Sequence, residues 1–343
     1  MQERKITRRG RLAGAALAAA SMLLLSACGT GSGPDAPEAE GADELALSLD
    51  WSTYVAYHAP FAVAQENGIY EKYGLSVTET LPGGSGDAVL EVGTGQTDLA
   101  WADLSTAAAS MLQDVPVTAV AKIQQRNASG LTVLEGTKLE SAEDVVGMRI
   151  GSTPGGSDST LVGAFLQANG IAEDEVQIVN LPANGKFAAL MTGDVDAISG
   201  QVYFYVSSAR DEGAEAHGLS YSDMGLDVLD HGFVASDAFI ESSPQAIERF
   251  LRAYREGLAE TIADPAAACE VLAAKSDGAV LQDSCEAQLD LWLPLVTPVD
   301  DAEWGLNSED DWQATVGALV EFSDARGDRD PASMFTNDFV PAD

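Results

Sequence analysis

Only three cysteines, three histidines and 18 basic residues stand in this chain, against 54 acids. Each shortage excludes something. His58, His217 and His231 are scattered, and no Cys/His spacing suits zinc, so no metal is expected. No Ser/His/Asp set at a workable spacing offers nucleophilic catalysis, and no cofactor is expected. Five basic residues and one acid precede Cys28. The remainder carries 13 basic and 53 acidic side chains, a formal charge of −40. That sign excludes general affinity for nucleic acid or anionic lipid. After residue 28 there is no transmembrane-length apolar run and no internal repeat.

The first residues are different. Arg4, Lys5, Arg8, Arg9 and Arg11 form a positive start, Leu12 to Leu25 is apolar, and Leu25-Ser26-Ala27-Cys28 ends in small residues before a cysteine. A charged start, a short apolar core and a small-residue cleavage site describe a secretion signal over 1–27. The Leu-Ser-Ala-Cys run resembles the bacterial lipobox, which implies lipidation of Cys28 and a mature protein held on the extracytoplasmic face of the cell membrane. Residues 28–44 are Gly, Ser, Pro, Ala and acid, too poor in large apolar groups to fold, and read as a flexible leash. Export permits a disulfide between Cys269 and Cys285; two buried thiols are the alternative.

About 300 residues at 46% apolar content suit two lobes. Strand and helix patterns alternate. Leu45–Trp51, 75–80, 98–103 and 115–124 read as strands, with helices over Pro60–Tyr73 and from Gly83 to about Val92. A second unit follows: strands at 131–134, 148–152, 176–179 and 195–199, a helix start at Ser141–Asp144, and helices before Gly170 and over 185–193. Beyond Ser243 helices cover 243–262, 265–275, 281–294 and 308–326. The fold class is α/β with mixed sheets.

Leu49-Asp50-Trp51, His58, Ala62-Val-Ala-Gln-Glu-Asn-Gly68 and Tyr73-Gly74-Leu75 follow an opening pattern. Gly93-Thr-Gly95 with Thr97-Asp98-Leu99-Ala100, Asp144 to Gly151, Leu190 to Ala197 and Thr336-Asn337-Asp338-Phe339 follow it further. In this order they resemble the solute-binding proteins of ABC importers, in the group of aliphatic-sulfonate, taurine, nitrate and thiamine-pyrimidine-precursor binders. The resemblance implies a periplasmic-binding-protein-like type II fold closing on a ligand, with lobe 1 over 45–125 plus 220–343 and lobe 2 over 126–219. It implies a monomer that meets a small-molecule ligand and the importer's permease and ATPase subunits.

Ligands of open α/β sheets sit off the carboxyl ends of the strands. Asp50 and Trp51 end the first strand; Tyr54, Tyr57 and His58 follow. Gly84, Ser85 and Gly86 open a helix, and Trp101 and Asp103 end the next strand. From the second unit come Ser152, Thr153, Gly156 and Ser157, then Gln201, Tyr203 and Tyr205. Each has a plainer reading: Trp51 as core, His58 as a structural histidine, the glycines as tight turns, Asp103 as a helix cap. Aromatic residues with acids and almost no arginine suit a flat, neutral or cationic heterocycle, such as a thiamine-pyrimidine precursor. A sulfonate held by helix N-termini is the alternative. The fungal enzymes that build the thiamine pyrimidine share this resemblance, but Ala102 and Thr106 stand where they carry a lysine and a histidine. A surface sensor of the same architecture is the remaining alternative.

Overall fold

The computed structural model describes residues 42–296, 298–323 and 325–342. The signal segment, Cys28 and nearly all of the leash lie outside the described residues. The first sheet holds β1 (Asp43–Ser48), β2 (Leu75–Thr80), β3 (Leu99–Asp103) and β4 (Val117–Lys122). The second holds β5 (Ser129–Leu134), β6 (Arg149–Ser152), β7 (Gln177–Asn180), β8 (Ala197–Gln201) and β9 (Ala216–Ser220). β10 (His231–Ser236) then returns to the first sheet.

The strand orders are β2-β1-β3-β10-β4 and β7-β6-β8-β5-β9. In each sheet three strands run parallel, and the strand that has just crossed over, β10 or β5, inserts antiparallel between the third and the last. Inserted strands have no solvent face. All six residues of β10 are buried, as are all five of β3.

The parallel connections are helical, as parallel pairing demands. Around the first sheet lie α1 (Ala59–Glu66), α2 (Ile69–Lys72), α3 (Ser85–Gly93) and α4 (Leu104–Met111). Around the second lie α5 (Ser157–Ala168), α6 (Ala183–Thr192) and α7 (Val202–Asp211). Among the described residues five further α-helices follow: α8 (Asp237–Ser242), α9 (Pro244–Ala263), α10 (Pro265–Lys275), α11 (Gln282–Trp292) and α12 (Glu309–Phe322). No described helix is long and apolar enough to cross a membrane.

Both faces of the first sheet are covered. Leu45, Leu47, Phe61, Tyr70, Phe233, Phe250 and Tyr254 form one core, and Ala88, Val89, Ala102, Met111, Trp312 and Leu319 the other. The second sheet has Leu131, Val133, Ile150, Phe165 and Tyr221 on one side and Leu190, Ile198 and Tyr205 on the other.

Three local expectations change. The helix expected over Pro60–Tyr73 is two helices, because Gly68 takes φ +67° and turns the chain between α1 and α2. The start at Ser141–Asp144 forms its capping box but yields one 3-10 turn, ended by Gly147 at φ +85°. α7, β9, β10 and α8 occupy a stretch that the sequence pattern left unassigned.

The two crossing segments lie side by side. Asp230 Oδ2 accepts from Gln124 Nε2 at 2.8 Å and from the Ala128 N–H at 2.8 Å, and Asn127 Nδ2 donates to the Leu229 carbonyl at 2.9 Å. One carboxylate thus joins both connections between the sheets.

Cys269 on α10 and Cys285 on α11 are disulfide-bonded, with Cα atoms 5.7 Å apart. A bridge closing a loop of 16 residues removes about 3 kcal/mol of unfolded-state entropy. Replacing both cysteines by alanine is expected to lower unfolding stability by about that amount in urea titrations. An unchanged midpoint would show that the bridge does not form or constrains nothing.

Candidate functional site

The cavity lies where the carboxyl ends of both sheets face each other. Asp50 and Trp51 follow β1, and Val55 and Tyr57 the turn beyond it. Ser85 opens α3 and His231 opens β10. The other wall comes from Ser157, Asp158, Gly200, Gln201, Phe204 and Tyr205. It encloses about 30 Å³ for a water-sized occupant, within about 430 Å³ of space between atoms. The smaller volume holds roughly two waters.

The cleft is shut by backbone. The Gly86 N–H donates to the Gly155 carbonyl at 2.9 Å, across the two sheets. A Cβ on Gly84 would lie 2.6 Å from the Gly156 Cα. Only glycine allows this approach, so the Gly-rich helix starts serve contact between the walls.

Asp50 is the cavity floor. Its Oδ2 accepts from Tyr57 Oη at 2.9 Å and His231 Nε2 at 2.7 Å, and its Oδ1 from His58 Nε2 at 2.9 Å. Burial would raise its pKa, but His231 and His58 hold the carboxyl well below the usual range. His58 Nδ1 accepts the Val55 N–H at 3.3 Å, so its proton sits on Nε2 and the ring is neutral. His231 lies between two carboxylates, with Nε2 on Asp50 and Nδ1 on Asp230. Burial opposes its charge, yet the two carboxylates raise its pKa well above the ordinary value. Trp101 stacks on its ring, centroids 5.4 Å apart at 28°.

Asp103 stands behind this floor. Its Oδ1 accepts from the Thr106 N–H at 2.7 Å and from Ser105 Oγ, capping α4, while Oδ2 has no partner. Burial, then the Asp230 carboxylate, push its pKa up to about 6, against the opposing pull of His231. Asp103, Asp230 and His231 offer ligand atoms within 4.8 Å of one another. Both nitrogens of His231 are already taken by carboxylates, so the trio is an ion-paired network rather than a set of free metal donors.

The far wall carries a buried ion pair. Lys186 on α6 has its Nζ on Asp158 Oδ2 and, at 2.6 Å, on the Ser199 carbonyl. Burial works against the ammonium, but the Asp158 carboxylate beside it outweighs burial and raises the Lys186 pKa. The Nζ also lies 5.2 Å from the Trp51 ring centre and 5.4 Å from that of Tyr205. Gly200 fits beneath at φ +146°, where a Cβ would meet Tyr205 at 2.7 Å.

Of the residues expected from sequence, Asp50, Trp51, Tyr57, Ser85, Ser157, Gln201 and Tyr205 lie on the cavity wall. His58, Trp101 and Asp103 lie behind the floor and support it. Tyr54 points away and donates to Glu79 Oε2 at 2.7 Å. Gly84 and Gly156 form the wall contact. Thr153 lines a wider space nearer the solvent, and Ser152 is buried beside it. Tyr203 is buried, its hydroxyl without a hydrogen-bond partner. Sequence reasoning missed Asp158, Lys186, Phe204 and His231. Asp158 had a signal, standing next to the Gly-Gly-Ser helix start; His231 had none, because its strand was not recognised.

Residues 55–268 match the family model described as NMT1/THI5 like, and the chain belongs to that family. A formylaminopyrimidine-binding protein of Halalkalibacterium halodurans is 23% identical, over 87% of this chain and 90% of that one. A riboflavin-binding protein RibY of Chloroflexus aurantiacus is 27% identical over 93% and 95%. A 4-amino-5-hydroxymethyl-2-methylpyrimidine phosphate synthase of Aspergillus parasiticus is 24% identical over 66% and 69%. Among solved structures, the alkanesulfonate-binding protein SsuA of Xanthomonas axonopodis pv. citri superposes with a TM-score of 0.67 at 17% identity, covering 87% of this chain and 99% of that one. The fold is that of the periplasmic binding proteins, two α/β lobes with mixed sheets.

Asp103 gives the network a pH signature. Its folded pKa lies above the ordinary 3.8, so between about pH 4 and 6 the folded chain holds a proton that the unfolded chain releases. Stability from this group therefore falls as pH rises through that window. Asp103→Asn keeps the cap acceptor and does not titrate. Relative to the parent, the variant is expected to gain roughly 2–3 kcal/mol between pH 4 and 6.5 in urea unfolding. A pH-independent difference would contradict the assignment.

Proposed function

We propose that the chain is an extracytoplasmic solute-binding lipoprotein of an ABC importer, and that its solute is a flat nitrogen heterocycle such as a thiamine-pyrimidine precursor. One observation carries the ligand class: the cavity pairs the aromatic faces of Trp51 and Tyr205 with carboxylates, and its lining contains no lysine or arginine. Lys186, behind the aromatic wall, is neutralised by Asp158, and His231 by two carboxylates. A flat ring gains from the aromatic faces, and a positive or neutral one avoids repulsion by the acids. Relatives named for binding formylaminopyrimidine and riboflavin support the same class.

Two lobes, 45–125 plus 220–343 and 126–219, open and shut about the segments joined by Asp230. The closed cavity holds only about two waters, so a ring enters with the lobes apart. Cys28 and the leash keep the receptor, a monomer, close to its permease.

A sulfonate is the second reading, favoured by the likeness to SsuA. It would set an anion beside Asp50 and Asp158 with no free cation to meet it. The synthase reading is weaker: Ala102 and Thr106 occupy the positions of that chemistry, and Thr106 is buried in the first turn of α4. Absorbance of bound pyridoxal phosphate on the purified protein would restore it.

Thermal-shift screening against pyrimidines, flavins, taurine and alkanesulfonates separates these readings. A heterocycle at 100 times its Kd is expected to stabilise the protein by about 2.7 kcal/mol. A shift with sulfonates alone would sink the heterocycle. Trp51→Ala should weaken heterocycle binding at least roughly tenfold by calorimetry; unchanged affinity would remove Trp51 from the wall.

A further inference from the structure

α12 packs on both α4 of the first sheet and α5 of the second. Trp312, Val316 and Leu319, at i, i+4 and i+7, are buried in a core of the first sheet with Met111 and Leu112. Trp312 Nε1 also donates to Asn307 Oδ1 at 3.0 Å. The adjoining stripe of the helix is Thr315, Ala318 and Phe322. Ala318 and Phe322 pack against the core of the second sheet, which holds Leu131, Phe165 and Tyr221. Thr315 Oγ1 accepts the Leu229 N–H at 3.0 Å, and Asp311 Oδ2 accepts from Lys122 Nζ at 2.7 Å. The helix is thus fastened next to each crossing segment. The exchange is mutual: Tyr203, on α7 of the second sheet, is buried in the other core of the first, with Trp292 of α11.

We propose that α12 is a third connection between the lobes, and that Ala318 and Phe322 hold them shut from outside the cavity. This goes beyond the heterocycle reading and holds for any solute the cleft takes. Lobes joined only by crossing segments move readily unless an apolar interface resists. The Trp312 stripe keeps α12 with the first sheet. Opening the cleft must therefore slide or strip Ala318 and Phe322 from the second. Packed interfaces do not stretch continuously; they are kept, shifted or lost. Neither residue lines the cavity, so both are positioning residues that act through closure. A solute held by both walls binds less tightly when the shut arrangement is less populated.

The Gly86 N–H reports closure, because its acceptor is the Gly155 carbonyl across the two sheets. Its hydrogen exchange, resolved by NMR on the full chain without added solute, tests the proposal. Gly86 should be protected in the parent. Phe322→Ala should speed its exchange at least about fivefold, the lower end of coupling between distant sites, while the β10 amides stay protected. Phe322→Leu keeps an apolar contact and should retain most of the protection. Val320→Ala alters an exposed residue of the same helix and should change nothing at Gly86. If Phe322→Ala also loses protection in β10, Ala318→Gln, which wedges the same contact, decides by the same criterion. Unchanged or slower Gly86 exchange in the folded variant overturns the proposal, and so does free exchange of Gly86 in the parent. No arm uses a solute, so a thermal-shift screen that sinks the heterocycle leaves this result standing.

Discussion

The buried carboxylate of Asp50 is the constraint on which the cleft depends. It holds Tyr57, His58 and His231, and so joins the loop after β1, the entry to α1 and the start of β10. Through His231 it reaches Asp230, which ties the two crossing segments together. Loop, helix entry, inserted strand and crossings are one polar network. Such a network is stable only if every charge in it is matched, since an unpaired buried charge costs several kcal/mol. His231 sits between two acids for that reason, and the neutral His58 supplies one more donor.

The same constraint fixes what the cavity can offer a ligand. The positive charge near the floor is consumed within the protein, by Asp50 and Asp230, and that near the far wall by Asp158. The lining that remains is aromatic residues, carboxylates and neutral polar side chains, with no lysine or arginine. The glycine-rich helix starts, which in other settings cradle anions, here meet each other, with the Gly86 N–H on the Gly155 carbonyl. The Gly86 N–H, a donor at a helix start, thus holds the walls together.

Much of the fold was legible because its signals are local. Alternation from Leu45 marked β1, and the apolar spacing of Ile247, Phe250, Leu251, Tyr254 and Leu258 marked α9. Asp50, Trp51, Tyr57 and Tyr205 could be nominated because the carboxyl ends of strands are where such folds bind. Other features had no local signal. Val202-Tyr-Phe-Tyr-Val206 has the composition of a strand, yet forms α7 because its packing against β9 and α11 outweighs propensity. β10 is short and contains Gly232, and only its place between β3 and β4 makes it a strand. Lys186 reads as an exposed helix cation; its burial is visible only once Asp158, 28 positions away, lies beside it.

The charge state of His231 tests this account most directly. Nitrogen-15 correlation spectra of the histidine rings at pH 8 should show His231 protonated on both nitrogens, beside a singly protonated, neutral His58. A neutral His231 at that pH, titrating near the ordinary histidine value, would mean that the floor is not ion-paired. The charge-matched link from Asp50 through His231 to Asp230 would then be absent.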